Sequence, residues 1–272
     1  MPPAYVKAYV KRGKNDAIDA EAICEAAGRP SMRFAPVKTM EQQGLSMLHR
    51  SRDLLIKNRT MLVNALRSHL AEFGFVAAKG IGKLPDLIKI VSEAPAHGLP
   101  DIARAALSGL LEAIAVIDVQ LAAAAKRLMA WCKTDAQSQR LATVPGIGLI
   151  GATAFSARVP DPSLFKNGRH LAAWIGLTPR QDSTGGKTKL KRISKAGDGY
   201  LRRLLVLGAT SPIRSLQNKT TRLALWVQEL LARRPRRLVT VALASKLARI
   251  AWSVMAKAEA YKPLAIPAGA SA

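Results

Sequence analysis

Aromatic side chains are scarce: Phe, Trp and Tyr together make up 5% of the 272 residues. A sheet sandwich or barrel held by aromatic cross-strand pairs is not expected from such a chain, and its many Ala and Leu residues favour helix. Cysteine is nearly absent. Cys24 and Cys132 have neither metal-ligand spacing nor a paired context, which excludes a disulfide framework and a thiolate metal site and fits free thiols in the cytoplasm. The four histidines, His49, His69, His97 and His170, are dispersed; none forms an i,i+4 ligand pair, and none is given a role. No uncharged apolar run reaches about 18 residues, because the stretch 102–125 is interrupted by Arg104, Glu112 and Asp118. The N-terminus lacks the apolar core of a signal peptide. Neither a membrane span nor export is expected. There is no internal repeat.

Acidic residues are also few: 18 Asp and Glu face 42 Lys and Arg, a formal net charge of +24. A polyphosphate is the commonest partner of such a surface, and an anionic membrane is the main alternative. The imbalance is local. Residues 1–165 hold 21 Lys and Arg against 14 Asp and Glu, whereas residues 166–262 hold 21 against 4. The C-terminal third is therefore the electrostatic footprint, and its contacts should weaken with salt through counterion release.

The pattern along the chain is mainly α. Tyr5 to Tyr9 reads as a short extended segment, Lys14 to Ala27 as a helix stopped by Gly28, and 29–39 as a linker. Glu41 to Phe73 reads as one long helix with a seam at Leu45, Leu48, Arg52, Leu55, Arg59, Leu62, Leu66, His69 and Phe73. A second runs from about Leu99 to Trp131, with Leu110, Ile114, Ile117, Leu121, Ala124, Leu128 and Trp131 at heptad-like spacing. The two make either an antiparallel hairpin or a coiled coil for oligomerisation. A short helix, Leu84 to Ser92, lies between them. After Asp135 come short helices at 135–143, 149–158 and 169–176, a loop or hairpin at 179–193, helices at 199–211, 219–232 and 237–257, and a frayed tail at 263–272.

Three segments carry candidate chemistry. Val144-Pro145-Gly146-Ile147-Gly148 between two short helices has the helix-hairpin-helix pattern, in which Gly146 and Gly148 let the backbone turn and the next helix offer its free N–H groups to a phosphate. An ordinary glycine corner is the plainer alternative. Asp182-Ser183-Thr184-Gly185-Gly186-Lys187 puts a hydroxyl beside two glycines, with Lys187, Lys189, Lys191 and Arg192 able to offset charge at a phosphodiester. It is not a Walker loop, and read alone it is more readily a polar hairpin tip. The basic run extends through Lys195, Arg202 and Arg203. Asp16 and Asp19, three apart on a helix, share one face and can hold Mg²⁺, or they can simply be a cap and first-turn charges.

Taken in order, KNDAIDAEAI, the long helices, LATVPGIGLIGATAFSA and LAAWIGLTPRQDSTGGKTKLKRISKAGDGYLRRLLV resemble the DEDD transposases of bacterial insertion sequences, insertion-sequence family 110 and its 1111 subgroup, with the Piv-type invertases as relatives. The resemblance spans about 4–260. It implies an N-terminal RuvC-like domain of RNase H fold, of which 1–38 is the C-terminal remnant. It further implies a helical coiled-coil region at 39–134 and a C-terminal transposase domain at 135–262. It implies site-specific DNA recombination with divalent metal, Mg²⁺, held by four acidic residues, of which Asp16 and Asp19 match the last two. Ser183 is the implied nucleophile, with Ser194 as the second candidate. The relatives include RNA-guided recombinases, so a structured guide RNA joins DNA as an expected partner, and the long helices suggest a homo-oligomer. The first Asp and the Glu of the quartet have no match here, so an N-terminally truncated and impaired chain is expected. A non-catalytic DNA- or RNA-binding remnant is the alternative, and a helical scaffold with an incidental basic surface a third.

Overall fold

The computed structural model describes residues 1–263 except 2, 12, 14, 33, 35, 36, 94–97, 217 and 218. Lys14, His97 and the tail from 264 onward thus lie outside the described residues. Among those described, eleven α-helices and one two-stranded sheet form a mainly α protein. The chain divides into two compact units, Met1–Met40 and the remainder from Glu41.

The first unit holds α1 (Pro3–Val6), a 3₁₀ turn (Lys7–Tyr9) and α2 (Asp16–Ala27). The extended segment expected at Tyr5–Tyr9 is helical instead; Pro3 has its φ preset for a first helical turn, and Val6 adopts φ −68°, ψ −34°. In α2 the cap is Asn15, whose side chain accepts from the Ile18 N–H at 2.8 Å. Asp16 and Asp19 fall in the first turn, where their charge favours the helix dipole. Only Ala22 and Ala26 are buried on α2.

The second unit opens with α3 (Met40–Glu72), α4 (Leu84–Ser92) and α5 (Asp101–Thr134). Side chains pair α3 with α5 in antiparallel order. Val63, Leu66 and Leu70 share a core with Leu107 and Ile114, closed by Leu84, Leu87 and Val91 of α4. At the other end Leu45 meets Leu128 and Ala157. Between the two, Arg59 donates to Asp118 at 2.9 Å. The expected α5 seam holds, with Ile114, Ala124 and Leu128 buried. That of α3 drifts: Leu70 is buried while His69 and Phe73 are exposed, because 3.6-residue spacing from Arg59 leads to Val63, Leu66 and Leu70. By length and composition alone, α5 and α11 (Arg236–Lys257) are long and apolar enough to cross a membrane. In α5, only Glu112 and Asp118 interrupt the stretch between Arg104 and Lys126. α11 is a core helix, burying Leu243, Leu247, Ala251 and six further residues.

Around α11 pack α6 (Ala136–Ala142), α7 (Leu149–Arg158), α8 (Gly168–Trp174), α9 (Gly199–Ser215) and α10 (Arg222–Arg233), with Phe155, Leu171, Ile175, Leu205 and Leu243 at the centre. Each such side chain contributes about 1.5–3 kcal/mol on burial. α9 runs past Ser211, the end expected from the sequence, and ends at Ser215 with Pro212 inside it. Pro212 has no N–H for the Gly208 carbonyl one turn back. That carbonyl faces the Gly146 turn instead: a Cβ built on Gly146 would lie 2.6 Å from it. The glycine turn accommodates the carbonyl that the proline leaves without its helical donor.

Candidate nucleic-acid interface

Strands β1 (Pro179–Gln181) and β2 (Leu190–Ile193) pair antiparallel as a hairpin. Its tip is Thr184-Gly185-Gly186-Lys187, closed by the Lys187 N–H to the Thr184 carbonyl at 3.1 Å, with φ of +55° and +74° at the two glycines. Positive φ at both central positions is the turn that matches strand twist. Every residue from 179 to 192 is exposed, and no third strand covers either face among the described residues. An isolated hairpin is marginal in water, so this one is a projecting arm tied down at its stem.

Ser183 lies on that arm, exposed. Its Oγ accepts from Gln181 Nε2 at 3.0 Å and from the Lys189 N–H at 3.2 Å. Asp182 is engaged by Lys191. Lys187, Lys189 and Arg192 on the arm and Lys195 at its base have no carboxylate at ion-pair distance among the described residues. Ser194, the second serine, sits half-buried at the stem, its N–H donating to the Thr178 carbonyl at 2.8 Å and its Oγ accepting from Ala196.

The stem is fixed by close backbone crossings. A Cβ on Gly197 would meet the Trp174 carbonyl at 1.8 Å, and one on Gly176 the Ala196 carbonyl at 2.2 Å. Lys195 takes a left-handed φ of +55° there, its N–H donating to the Gly176 carbonyl at 3.1 Å. Arg202 Nη1 spans the crossing, donating to the carbonyls of Ile175 (2.7 Å) and Ala196 (2.8 Å). Of the basic residues singled out in the sequence, Arg202 is thus spent on the protein's own backbone, and Arg203 pairs with Asp53.

The start of α9 is held as firmly. Asp198 caps it, accepting from the Tyr200 and Leu201 N–H groups at 2.9 Å, and pairs with Arg158 at 2.6 Å. The Arg158 guanidinium lies over the Tyr200 ring, 4.8 Å from its centroid. Tyr200 reaches His49, which is fully buried on α3: Nδ1 is 3.0 Å from the Tyr200 hydroxyl and Nε2 is 3.1 Å from Thr153 Oγ1. Thr153 donates its own proton to the Leu149 carbonyl at 2.9 Å. Its oxygen must therefore accept from Nε2–H, which leaves Nδ1 to accept from the tyrosine. Burial, with Arg158 and Arg52 nearby, pushes the His49 imidazole down to about 4; burial raises the Tyr200 phenol. Neutral His49 thus joins α3, α7 and α9. Nothing local in the sequence marks it out, although 45, 49 and 52 keep helical spacing.

Gly146 has φ +84° and touches Gly208 and Pro212 of α9. Gly148 is exposed and open, and α7 begins behind it with no side-chain cap. The Arg158–Asp198 pair places the other end of α7 at the hairpin stem. The turn and the stem of the arm thus lie at opposite ends of α7, a helix about 15 Å long. Asp16 and Asp19 are both exposed on α2. Among the described residues no three His, Cys, Asp or Glu side chains gather to hold a metal ion, so this pair does not complete a metal site.

Two family models match the chain. Residues 1–75 match a DEDD transposase model and residues 138–224 that of the transposase IS116/IS110/IS902 family. The chain is similar to a Sinorhizobium fredii protein named as a transposase, 46% identical over 96% of this chain and 67% of that protein. It is similar to a Pseudomonas aeruginosa protein named as a family 20 transposase, 45% identical over 97% of this chain and 78% of the relative. The transposase for insertion sequence element IS1111A of Coxiella burnetii is 39% identical over 96% of this chain and 72% of its own length. With an exposed basic arm at one end of α9 and these relatives along nearly its whole length, the chain belongs to the IS110/IS116 family of insertion-sequence transposases.

Proposed function

We propose that this chain takes part in site-specific strand exchange on insertion-sequence DNA, with Ser183 as the nucleophile. The exposed basic hairpin carries the reading: it presents the Ser183 hydroxyl beside Lys187, Lys189 and Arg192, with Lys195 at its base. Attack by Ser183 Oγ forms an Oγ–P bond as one P–O bond of the strand breaks, and the released strand end leaves as a hydroxyl that takes the serine proton through solvent. One phosphodiester replaces another, so no outside energy source is needed. The unpaired cations offset charge as it builds on the phosphoryl oxygens, and Lys191 joins them when it leaves Asp182. Gly146 and Gly148 shape the turn whose N–H groups hold a backbone phosphate, while Arg202 and Arg203 position the arm.

Membership implies a divalent metal ion. Asp16 and Asp19 supply two of its carboxylates in this reading, and cleavage depends on the remaining ligands being provided. Residues 1–38 act as part of a RuvC-like domain, 39–134 as the coiled-coil region and 135–262 as the transposase domain. Met47, Leu54 and Met61, exposed at heptad spacing on α3, suit pairing of long helices in a homo-oligomer. A structured guide RNA shares the basic surface with DNA, and the chain works in the cytoplasm where both are found.

The test is a covalent protein–DNA species. The chain is incubated with element-end DNA, the element's RNA and Mg²⁺, then denatured and resolved with and without RNase. A labelled adduct that Ser183→Ala abolishes and Ser194→Ala spares is expected. The second reading, a nucleic-acid-binding protein that does not cut, is favoured by one observation: Asp182, the carboxylate next to Ser183, is occupied by Lys191. It predicts tight, salt-sensitive binding, no adduct, and no effect of Ser183→Ala.

A further inference from the structure

At the far end of α9 from the hairpin, the structure places an open cavity of about 720 Å³, lined by Arg214, Arg236 and Arg237 with the hydroxyls of Thr210, Ser211 and Ser215. None of these residues lies in the basic stretch that drew notice in the sequence. All three arginines are exposed, and none has a carboxylate partner among the described residues. Their placement is unfavourable to the free protein. Arg236 and Arg237 occupy the first turn of α11, which contains no acidic residue, so they stand at the positive end of the helix dipole. Arg233 and Arg234 precede them across Pro235 and add like charge. A local rule broken without compensation inside the protein points to a ligand that compensates it. The ligand must be anionic, must offer several acceptors at once, and must be extended enough to reach from Arg214 on one helix to Arg236 on another. Guanidinium groups and hydroxyls together match the oxygens of a phosphodiester backbone.

We propose that this cavity is a second nucleic-acid backbone site, distinct from the hairpin and about 24 Å from it at 1.5 Å per residue along α9. A single exposed stripe joins the two. Arg203, Leu207, Thr210 and Arg214 follow one another at three- and four-residue steps, with Ser211 beside them, and all face solvent. The Pro145–Gly148 turn packs on the same stretch of α9, through Gly208 and Pro212. One strand laid along α9 is thereby gripped at both ends, and the hairpin need not supply the affinity that holds the substrate.

The site is tested by equilibrium binding without Mg²⁺, so the result does not depend on whether Ser183 cuts. Fluorescence anisotropy of the full chain is measured against a 30-base-pair duplex and, separately, a structured RNA, from 50 to 200 mM salt. Replacing Arg214, Arg236 and Arg237 with Gln should lower the slope of log affinity against log salt by about 2.7 on duplex, at about 0.9 per lost phosphate contact. Between 50 and 200 mM salt that removes about 40-fold of the affinity loss seen with the natural chain. The three-lysine variant should keep the slope, because counterion release counts charge. A hairpin variant, Lys187→Gln with Lys189→Gln and Arg192→Gln, should lower the slope independently, and the two losses should add. The probe that loses slope identifies the strand as DNA or RNA. An unchanged slope on both probes overturns the site, as does complete loss of slope in the hairpin variant alone. A Gln variant that fails to fold at 25 °C overturns it as well, since it would show that the arginines serve the fold.

Discussion

Protonation of His49 should lower the stability of this protein in mild acid. The imidazole is fully buried, takes Tyr200 O–H on one nitrogen and gives Nε2–H to Thr153 on the other, and titrates at about 4 when folded. In the unfolded chain it titrates at about 6.5. As pH falls, the unfolded state therefore takes up the proton first. Stability is fully present above pH 6.5, is lost between about 6.5 and about 4, and levels off below that. The whole gap corresponds to about 3.4 kcal/mol, of which about 1.8 kcal/mol is lost between pH 7 and pH 5. Urea unfolding at both pH values, for the natural chain and for His49→Gln, isolates this contribution from that of other groups. At pH 7 the Gln variant is weaker by about 1–3 kcal/mol, because one of the two hydroxyl partners loses its hydrogen bond. Between pH 7 and pH 5 it should lose about 2 kcal/mol less than the natural chain. Equal losses in the two proteins would refute the buried neutral imidazole.

Gly208→Ala should destabilise the protein although alanine is the better helix former by about 1 kcal/mol. The new Cβ lies 2.0 Å from the Gly146 carbonyl, and moving backbone costs about 1–3 kcal/mol or more. A melting temperature equal to or above that of the natural chain would show that the turn can yield. Arg202→Lys separates a clamp from a phosphate contact. Lysine keeps the charge but cannot reproduce both Nη1 bonds to Ile175 and Ala196. The N–H groups of Ser194 and Lys195, which bond Thr178 and Gly176, should exchange with solvent faster in the variant while the salt slope of DNA binding stays unchanged.

Much of the helical frame was legible because it rests on local signals. Gly28 ends α2, the Leu84–Ser92 and Leu149–Arg158 helices fall where spacing puts them, and Gly185-Gly186 makes a hairpin tip with two positive φ angles. What escaped depends on residues distant in sequence. The end of α9 falls at Ser211 in the sequence reading and at Ser215 in the structure, since nothing local reveals that Gly146 will face the carbonyl Pro212 strands. His49 differs from an idle histidine only through Tyr200 and Thr153, 151 and 104 residues away. Arg202 and Arg214 look alike in the sequence; only the folded backbone shows that the first is consumed by carbonyls.

That difference divides the positive charge into two populations. Arg158, Arg202 and Arg203 have protein partners: Asp198, two carbonyls and Asp53. They fix the stem of the arm and the start of α9, and their geometry is set before any ligand arrives. Lys187, Lys189, Arg192 and Lys195 around the arm, with Arg214, Arg236 and Arg237 at the other end, have no such partners among the described residues. They repel one another in the free protein, and a polyanion relieves that repulsion while releasing its own counterions. A rigid set alone would orient a strand without attracting it, and an unpartnered set alone would attract any strand without orienting it. α9 carries both: its first turn is locked to Arg158, Tyr200 and His49, and its exposed stripe leads to the second cluster of arginines. In the proposed reading, a strand drawn in by the unpartnered cations is aligned on a helix whose position relative to Ser183 is already fixed, which is what an arm with no sheet behind it needs to serve as a site of chemistry.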